Sequence, residues 1–111
     1  MKVIYIAGPY RNSAGEYFVR QNIRRAEEEA IFVWKSGAVA ICPHKNTAGF
    51  GGAAPDHVWL EGDLELLKRC DAVYAIDGWS ASSGATAEVA FAKQNNIPIF
   101  FSKSEVKAWL T

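Results

Sequence analysis

The chain has 111 residues, half of them hydrophobic, and its 12 basic and 12 acidic side chains cancel. That length suits one domain, residues 1–111, with a single core; the balanced charge argues against disorder, an acidic tail or a basic surface for a nucleic-acid polymer. No apolar run approaches the roughly 20 residues of a membrane span, and Met1-Lys2 leads directly into a strand-like run, so a cytoplasmic protein without a membrane partner is expected.

In chain order, Val3-Ile4-Tyr5-Ile6-Ala7 is an unbroken apolar run ended by Gly8-Pro9, the pattern of a parallel strand buried on both faces. The turn from Gly8 to Ser13 holds turn formers and one cation, Arg11, but no GxGxxG dinucleotide fingerprint. Gly8 would let a ligand approach the backbone, and the planar fork of Arg11 would suit an anion. From Tyr17 to Lys35, Val19, Ile23, Ala26, Ala30 and Val33-Trp34 recur at helical spacing, opposite Arg24, Arg25, Glu27 and Glu28. Ala38 to Cys42 forms a second short strand. The glycine-rich segment from His44 to Pro55 lacks periodicity and is expected to be a loop, either functional or a disordered crossover. Cys42 and Cys70 show no CxxC spacing and are expected as buried thiols in a reducing compartment. Cys42 and His44 lack a matched second pair of ligands, so neither a metal nor a cofactor is expected.

Asp56 stands where an N-cap belongs, before a helix running to about Arg69. Leu60, Leu64 and Leu67 make one apolar stripe; Trp59, Asp63, Leu66 and Cys70 make an adjoining one. Asp63 therefore interrupts a core-facing edge, where burial of a carboxylate demands compensation. A third strand, Ala72 to Ile76, precedes the turn from Asp77 to Ala81. A helix then opens at Ser82-Ser83-Gly84-Ala85-Thr86-Ala87-Glu88 and ends at Asn95-Asn96. Glu88 is the only charged residue from Gly78 to Ala92. Either it faces water and complements the helix N-terminus, or it is a carboxylate buried at the sheet edge. A fourth strand from Ile97 to Phe101 and a helix from about Ser104 to Leu110 complete the chain.

Strands alternating with helices imply an α/β fold: a three-layer Rossmann- or flavodoxin-like parallel sheet of four to five strands, with helices on both faces. Ligand crevices in such sheets lie at the carboxyl ends of the strands. There Tyr5, Gly8, Arg11, Asp63, Ser82, Ser83, Gly84 and Glu88 converge, with the loop that carries His44 nearby. The hydroxyls and N–H groups at the start of the Ser82 helix would form an anion site. Trp79 and Trp109 are exposed candidates for an interface between copies of the chain.

Three blocks, Tyr5 to Arg11, Gly62-Asp63-Leu64 through Cys70-Asp71-Ala72, and Ser82 to Glu88, resemble the nucleoside 2-deoxyribosyltransferase superfamily in order and spacing. That superfamily also holds nucleoside 5′-monophosphate N-glycosidases. The resemblance implies that Glu88 is the nucleophile at the anomeric carbon, that the Tyr5 hydroxyl holds it, and that Asp63 serves proton transfer. It also implies a homodimer or higher homo-oligomer. Family residues donated by a neighbouring subunit have no match in this shorter tail. Transferases in the family carry an aspartate six residues before the glutamate, where Ser82 stands here. The monophosphate hydrolases have serine there and an arginine in the first loop, as Arg11 stands. Serine, helix N–H groups and arginine attract phosphate where aspartate would repel it. The expectation is therefore cleavage or transfer at the N-glycosidic bond of a (deoxy)nucleoside 5′-monophosphate. The alternatives are 2′-deoxyribosyl transfer on free nucleosides, or a non-catalytic nucleotide-binding or sensing module.

Overall fold

The computed structural model describes all 111 residues. Its elements are β1 (Val3–Ala7), α1 (Glu16–Lys35), β2 (Val39–Ile41), α2 (Pro43–Asn46), α3 (Asp56–Lys68), β3 (Ala72–Ala75), α4 (Ser83–Gln94), β4 (Ile99–Phe100) and α5 (Lys103–Leu110). The strands form one parallel sheet in the order β2-β1-β3-β4, in register at Ile4–Ala40, Tyr5–Val73 and Tyr74–Phe100. This is the expected doubly covered α/β sheet, with four strands. No helix is long and apolar enough to cross a membrane.

β1 sits in the middle and is sealed on both faces, with Ile4, Tyr5, Ile6 and Ala7 all fully buried. Because successive strand residues point to opposite faces, β1 feeds two cores. Ile4 and Ile6 join Tyr74 and Ile76 against Ala26, Ala30 and Val33 of α1 and Val106 of α5. Tyr5 and Ala7 join Val73 against Leu67 and Cys70 from the α3 side and Ala92 of α4. Each fully buried branched side chain contributes about 1.5–3 kcal/mol relative to exposure, so both layers hold the sheet. The Tyr5 layer is the smaller of the two, and it is the one that carries carboxylates.

Several local expectations are corrected. The buried stripe of α1 is Asn22, Ala26, Ala30 and Val33; it lies rotated from the predicted one, leaving Trp34 exposed. The segment after Cys42 starts with the short helix α2, which buries Pro43 and His44. It continues through turns closed by Phe50 N–H to the Thr47 carbonyl and Ala53 N–H to the Phe50 carbonyl. Phe50 lies against Trp59 with ring centroids 5.8 Å apart, so this crossover packs on α3. Asp56 is the first residue of α3 and caps nothing; Pro55 holds the cap position. Trp109 is half-buried against Phe100 at 5.2 Å and completes the larger core. Trp79 is half-buried as well, beside Phe101. Cys70 is buried and Cys42 half-buried, and both are free thiols.

Gly8 has a packing reason of its own. A Cβ at Gly8 would lie 2.5 Å from Cγ1 and 2.7 Å from Cδ1 of Ile76, so the first residue after β1 must be bare for β3 to close against it. Gly8→Ala is expected to destabilise the protein by about 1–3 kcal/mol, the usual cost of overpacking. In urea melts the double variant Gly8→Ala/Ile76→Ala should lose clearly less than the sum of the singles. Additive losses would show that the clash does not set the requirement for glycine.

Candidate active site

The site is built where the Tyr5 layer meets the carboxyl edge of the sheet. Tyr5 points from β1 toward α3 and α4 because its neighbours Ile4 and Ile6 take the other face. On α4, Ala85, Val89 and Ala92 are buried. Glu88 lies three residues after Ala85 and four before Ala92, so helical spacing turns it inward with them. On α3, Asp63 precedes Leu67 by four and Cys70 by seven residues, which puts it on the same inward face. The two carboxylates therefore approach Tyr5 from two different helices.

The Tyr5 hydroxyl donates a short hydrogen bond to Oε2 of Glu88. That is the only side-chain hydrogen bond Glu88 makes, and Oε1 is neither bonded nor sealed from solvent. Burial pushes the Glu88 carboxyl up to about 7; the Tyr5 donor acts against that shift, and the Asp63 charge adds to it. Asp63 is half-buried, and loss of solvation moves it up to about 6. Tyr5 itself is held far above the ordinary phenol range, first by burial and then by the Glu88 charge, so it stays a proton donor. The arrangement is two acids raised toward neutrality, one with a fixed hydrogen-bond donor. Such a pair supports nucleophilic attack by one group and proton delivery by the other.

The remaining expected residues divide. Ser82 is the N-cap of α4, its Oγ accepting from Ala85 N–H at 3.2 Å, with Ser83 and Gly84 exposed in the first turn. Arg11 is at the expected edge, but its Nη2 lies 2.8 Å from Asp56 Oδ1, so it already has an anion. Both side chains are mostly solvent-exposed, and such a pair is worth under about 1 kcal/mol. His44, expected beside the ligand, is held against the loop backbone: Nε2 is 2.8 Å from the Pro9 carbonyl oxygen, and Nδ1 is sealed from solvent. Burial lowers its affinity for a proton. Sequence reasoning missed Asn22, whose Nδ2 donates to the Tyr10 carbonyl at 3.1 Å. Its signal was present, because Asn22 lies three residues after Val19 and four before Ala26, a polar interruption of an apolar stripe.

The comparisons with known proteins follow the geometry. Residues 2–102 match the profile of a family described as a domain of unknown function, DUF7768. No curated protein matches the chain. Among solved structures, the 2-deoxyribosyltransferase of the psychrotolerant bacterium Bacillus psychrosaccharolyticus is 19% identical with a TM-score of 0.69, over 89% of this chain and 70% of that one. The 2-desoxiribosyltransferase from Leishmania mexicana is 17% identical with a TM-score of 0.66, over 91% of this chain and 63% of that one. The chain thus has the 2-deoxyribosyltransferase-like fold that its sequence resembles.

The raised Glu88 acid has a signed consequence for stability. Between its ordinary 4.5 and about 7 the folded protein keeps a proton that the unfolded chain has lost. Stability therefore falls as pH rises through that window, and Asp63 acts in the same direction from 3.8 to about 6. Glu88→Gln keeps an acceptor for Tyr5 and removes the cost of ionisation. Its melting temperature should match wild type near pH 4.5 and exceed it by the equivalent of about 1–3 kcal/mol at pH 8. A gap between the two proteins that does not change with pH would show Glu88 to be an ordinary solvated acid.

Proposed function

We propose that this chain, which belongs to the DUF7768 family of domains of unknown function, breaks an N-glycosidic bond of a 2′-deoxynucleoside and transfers the deoxyribosyl group to a second base or to water. The observation that supports this most is the Tyr5–Glu88 hydrogen bond with Asp63 beside it. Oε2 is held by Tyr5, which leaves Oε1 of Glu88 to attack the anomeric carbon. As the C–O ester bond forms, the bond from carbon to the base nitrogen breaks, and its electron pair leaves with the base. Asp63 gives the departing nitrogen its proton. In the second half, Asp63 takes a proton from the incoming base or water, whose nitrogen or oxygen attacks the same carbon and expels Glu88. Two displacements give net retention.

Tyr5 acts on the ionisation of Glu88. Its O–H stabilises the carboxylate, but burial outweighs it and leaves Glu88 at about 7, above Asp63 at about 6. The reacting form, with Glu88 ionised and Asp63 protonated, is therefore the minor one of the pair's two singly protonated states. The low dielectric of the Tyr5 layer keeps both groups close to neutral pH, where one is protonated and the other is not.

The sequence pointed first to a nucleoside 5′-monophosphate as substrate. The fold's likeness to two 2-deoxyribosyltransferases supports the free nucleoside better, and Arg11 is engaged by Asp56. The monophosphate remains the second reading because Ser82 puts no negative charge at the start of α4, where phosphate would be attracted to the helix end.

Chromatography of base released from ribo- and deoxyribonucleosides and their monophosphates, with and without an acceptor base, tests both readings. Glu88→Ala should lower turnover at least about 1,000-fold, and Tyr5→Phe about 10–100-fold. The profile of kcat/KM against pH should be bell-shaped, with limbs near the raised values of about 6 and about 7 for the pair. Activity on monophosphates alone would select the second reading. Wild-type levels of base release by Glu88→Ala would refute both.

A further inference from the structure

Apart from the core tyrosines Tyr5 and Tyr74, the polar side chains buried to the extent of the core are Asn22 and His44, each 6% exposed. They come from different helices, and both are directed at one short piece of backbone. His44 of α2 holds the Pro9 carbonyl at 2.8 Å, and Asn22 of α1 holds the next carbonyl, that of Tyr10, at 3.1 Å. Asn22 is oriented in turn by Arg25, whose Nη2 donates to Asn22 Oδ1 at 2.6 Å. The His44 ring also meets the Tyr10 ring edge-on at 5.5 Å. From the opposite side the same loop is wedged against β3 and its turn. Gly8 abuts Ile76, and the ring of Pro9 lies 3.0 Å from where a Cβ of Gly78 would stand.

Loops at the ligand edge of a parallel sheet are ordinarily the mobile parts of the fold. This one is fixed at consecutive residues by buried donors, and the anchoring has a cost. With Nε2–H donating to Pro9, Nδ1 of His44 carries a lone pair that no group in the protein satisfies. An unpartnered buried acceptor is destabilising, because it has given up its bond to water and gained none in return. An apolar residue at position 44 would avoid that cost and lose only the hold on Pro9.

We propose that His44 and Asn22 are positioning residues that lock the Gly8–Asn12 loop as a preformed wall of the substrate site. The loop begins three residues after Tyr5, so it borders the reacting carboxylates without supplying a reacting group. Its part is to grip the portion of the nucleoside that does not react, an interaction equal in ground and transition states. Loss of that grip raises KM and leaves kcat alone. The KM part of this inference rests on the glycosyl-transfer reading above; the locking of the loop does not.

The test compares wild type, His44→Phe and His44→Gln, the last keeping an amide N–H near the place of Nε2. Amide hydrogen exchange at residues 10–13 is measured alongside kcat and KM for the preferred deoxynucleoside. The expected result for His44→Phe is faster exchange in the loop and a KM raised about 10-fold with kcat within about 2-fold, with both changes reversed by His44→Gln. If His44→Phe fails to fold, Asn22→Leu cuts the neighbouring anchor and should give the same pattern. Unchanged exchange and KM in the folded variants, with only the melting temperature lowered, would overturn the proposal and leave both residues purely structural. If wild type releases no base from any nucleoside or monophosphate, the glycosyl-transfer reading falls with the KM claim. Loop locking is then decided by exchange alone: faster exchange in His44→Phe that His44→Gln restores upholds it, and equal exchange rejects it.

Discussion

A carboxylate on the buried face of a helix is the constraint around which this protein is arranged. Glu88 shares the inward stripe of α4 with Ala85 and Ala92, and an ionised group there loses most of its hydration. A single donor, the Tyr5 hydroxyl, comes from the central strand to meet it. That pairing ties α4 to the central strand, beside the packing of Ala85, Val89 and Ala92. It also holds a chemically poised oxygen within a layer otherwise made of Ala7, Leu67, Val73 and Ala92.

The two faces of the sheet are accordingly unequal. The α1–α5 face buries the larger apolar cluster, and a polar contact there, Tyr74 O–H to Glu29 Oε2 at 2.8 Å, ties β3 to α1. The α3–α4 face is thinner, with Leu67 the only buried residue of α3, and there both raised acids lie. A smaller apolar layer leaves Asp63 half-exposed and keeps Oε1 of Glu88 reachable. Stability comes mainly from one side of β1, and the chemistry proposed here from the other.

Around that centre the loops at the carboxyl edge are closely tied. Ile76 reaches into the space that a side chain on Gly8 would need, Arg11 spans to Asp56 at the start of α3, and His44 and Asn22 take consecutive carbonyls. Asp71 belongs to the same pattern at the opposite end of the strands, its carboxylate accepting the Val3 N–H at 2.8 Å. Polar side chains in this fold are used chiefly to fix where backbone segments begin and end. The apolar ones set the layers.

Much of this was legible in the sequence. Unbroken apolar strands, helical stripes and their alternation determined the parallel sheet. Asp63 and Glu88 stood out because each interrupts an apolar helical face, and resemblance to a family supplied the link to Tyr5. Sequence periodicity reports which face a residue occupies, but not which residue of another element meets it. Only the folded chain could therefore give Arg11 to Asp56, give His44 to Pro9, and show Gly8 to be required by Ile76. Each of these contacts joins residues at least 35 positions apart. Local pattern determined the layers and marked the two acids. Tertiary packing decided their partners and their weakened acidity, because burial and hydrogen bonding are properties of the assembled sheet and helices, not of any one segment.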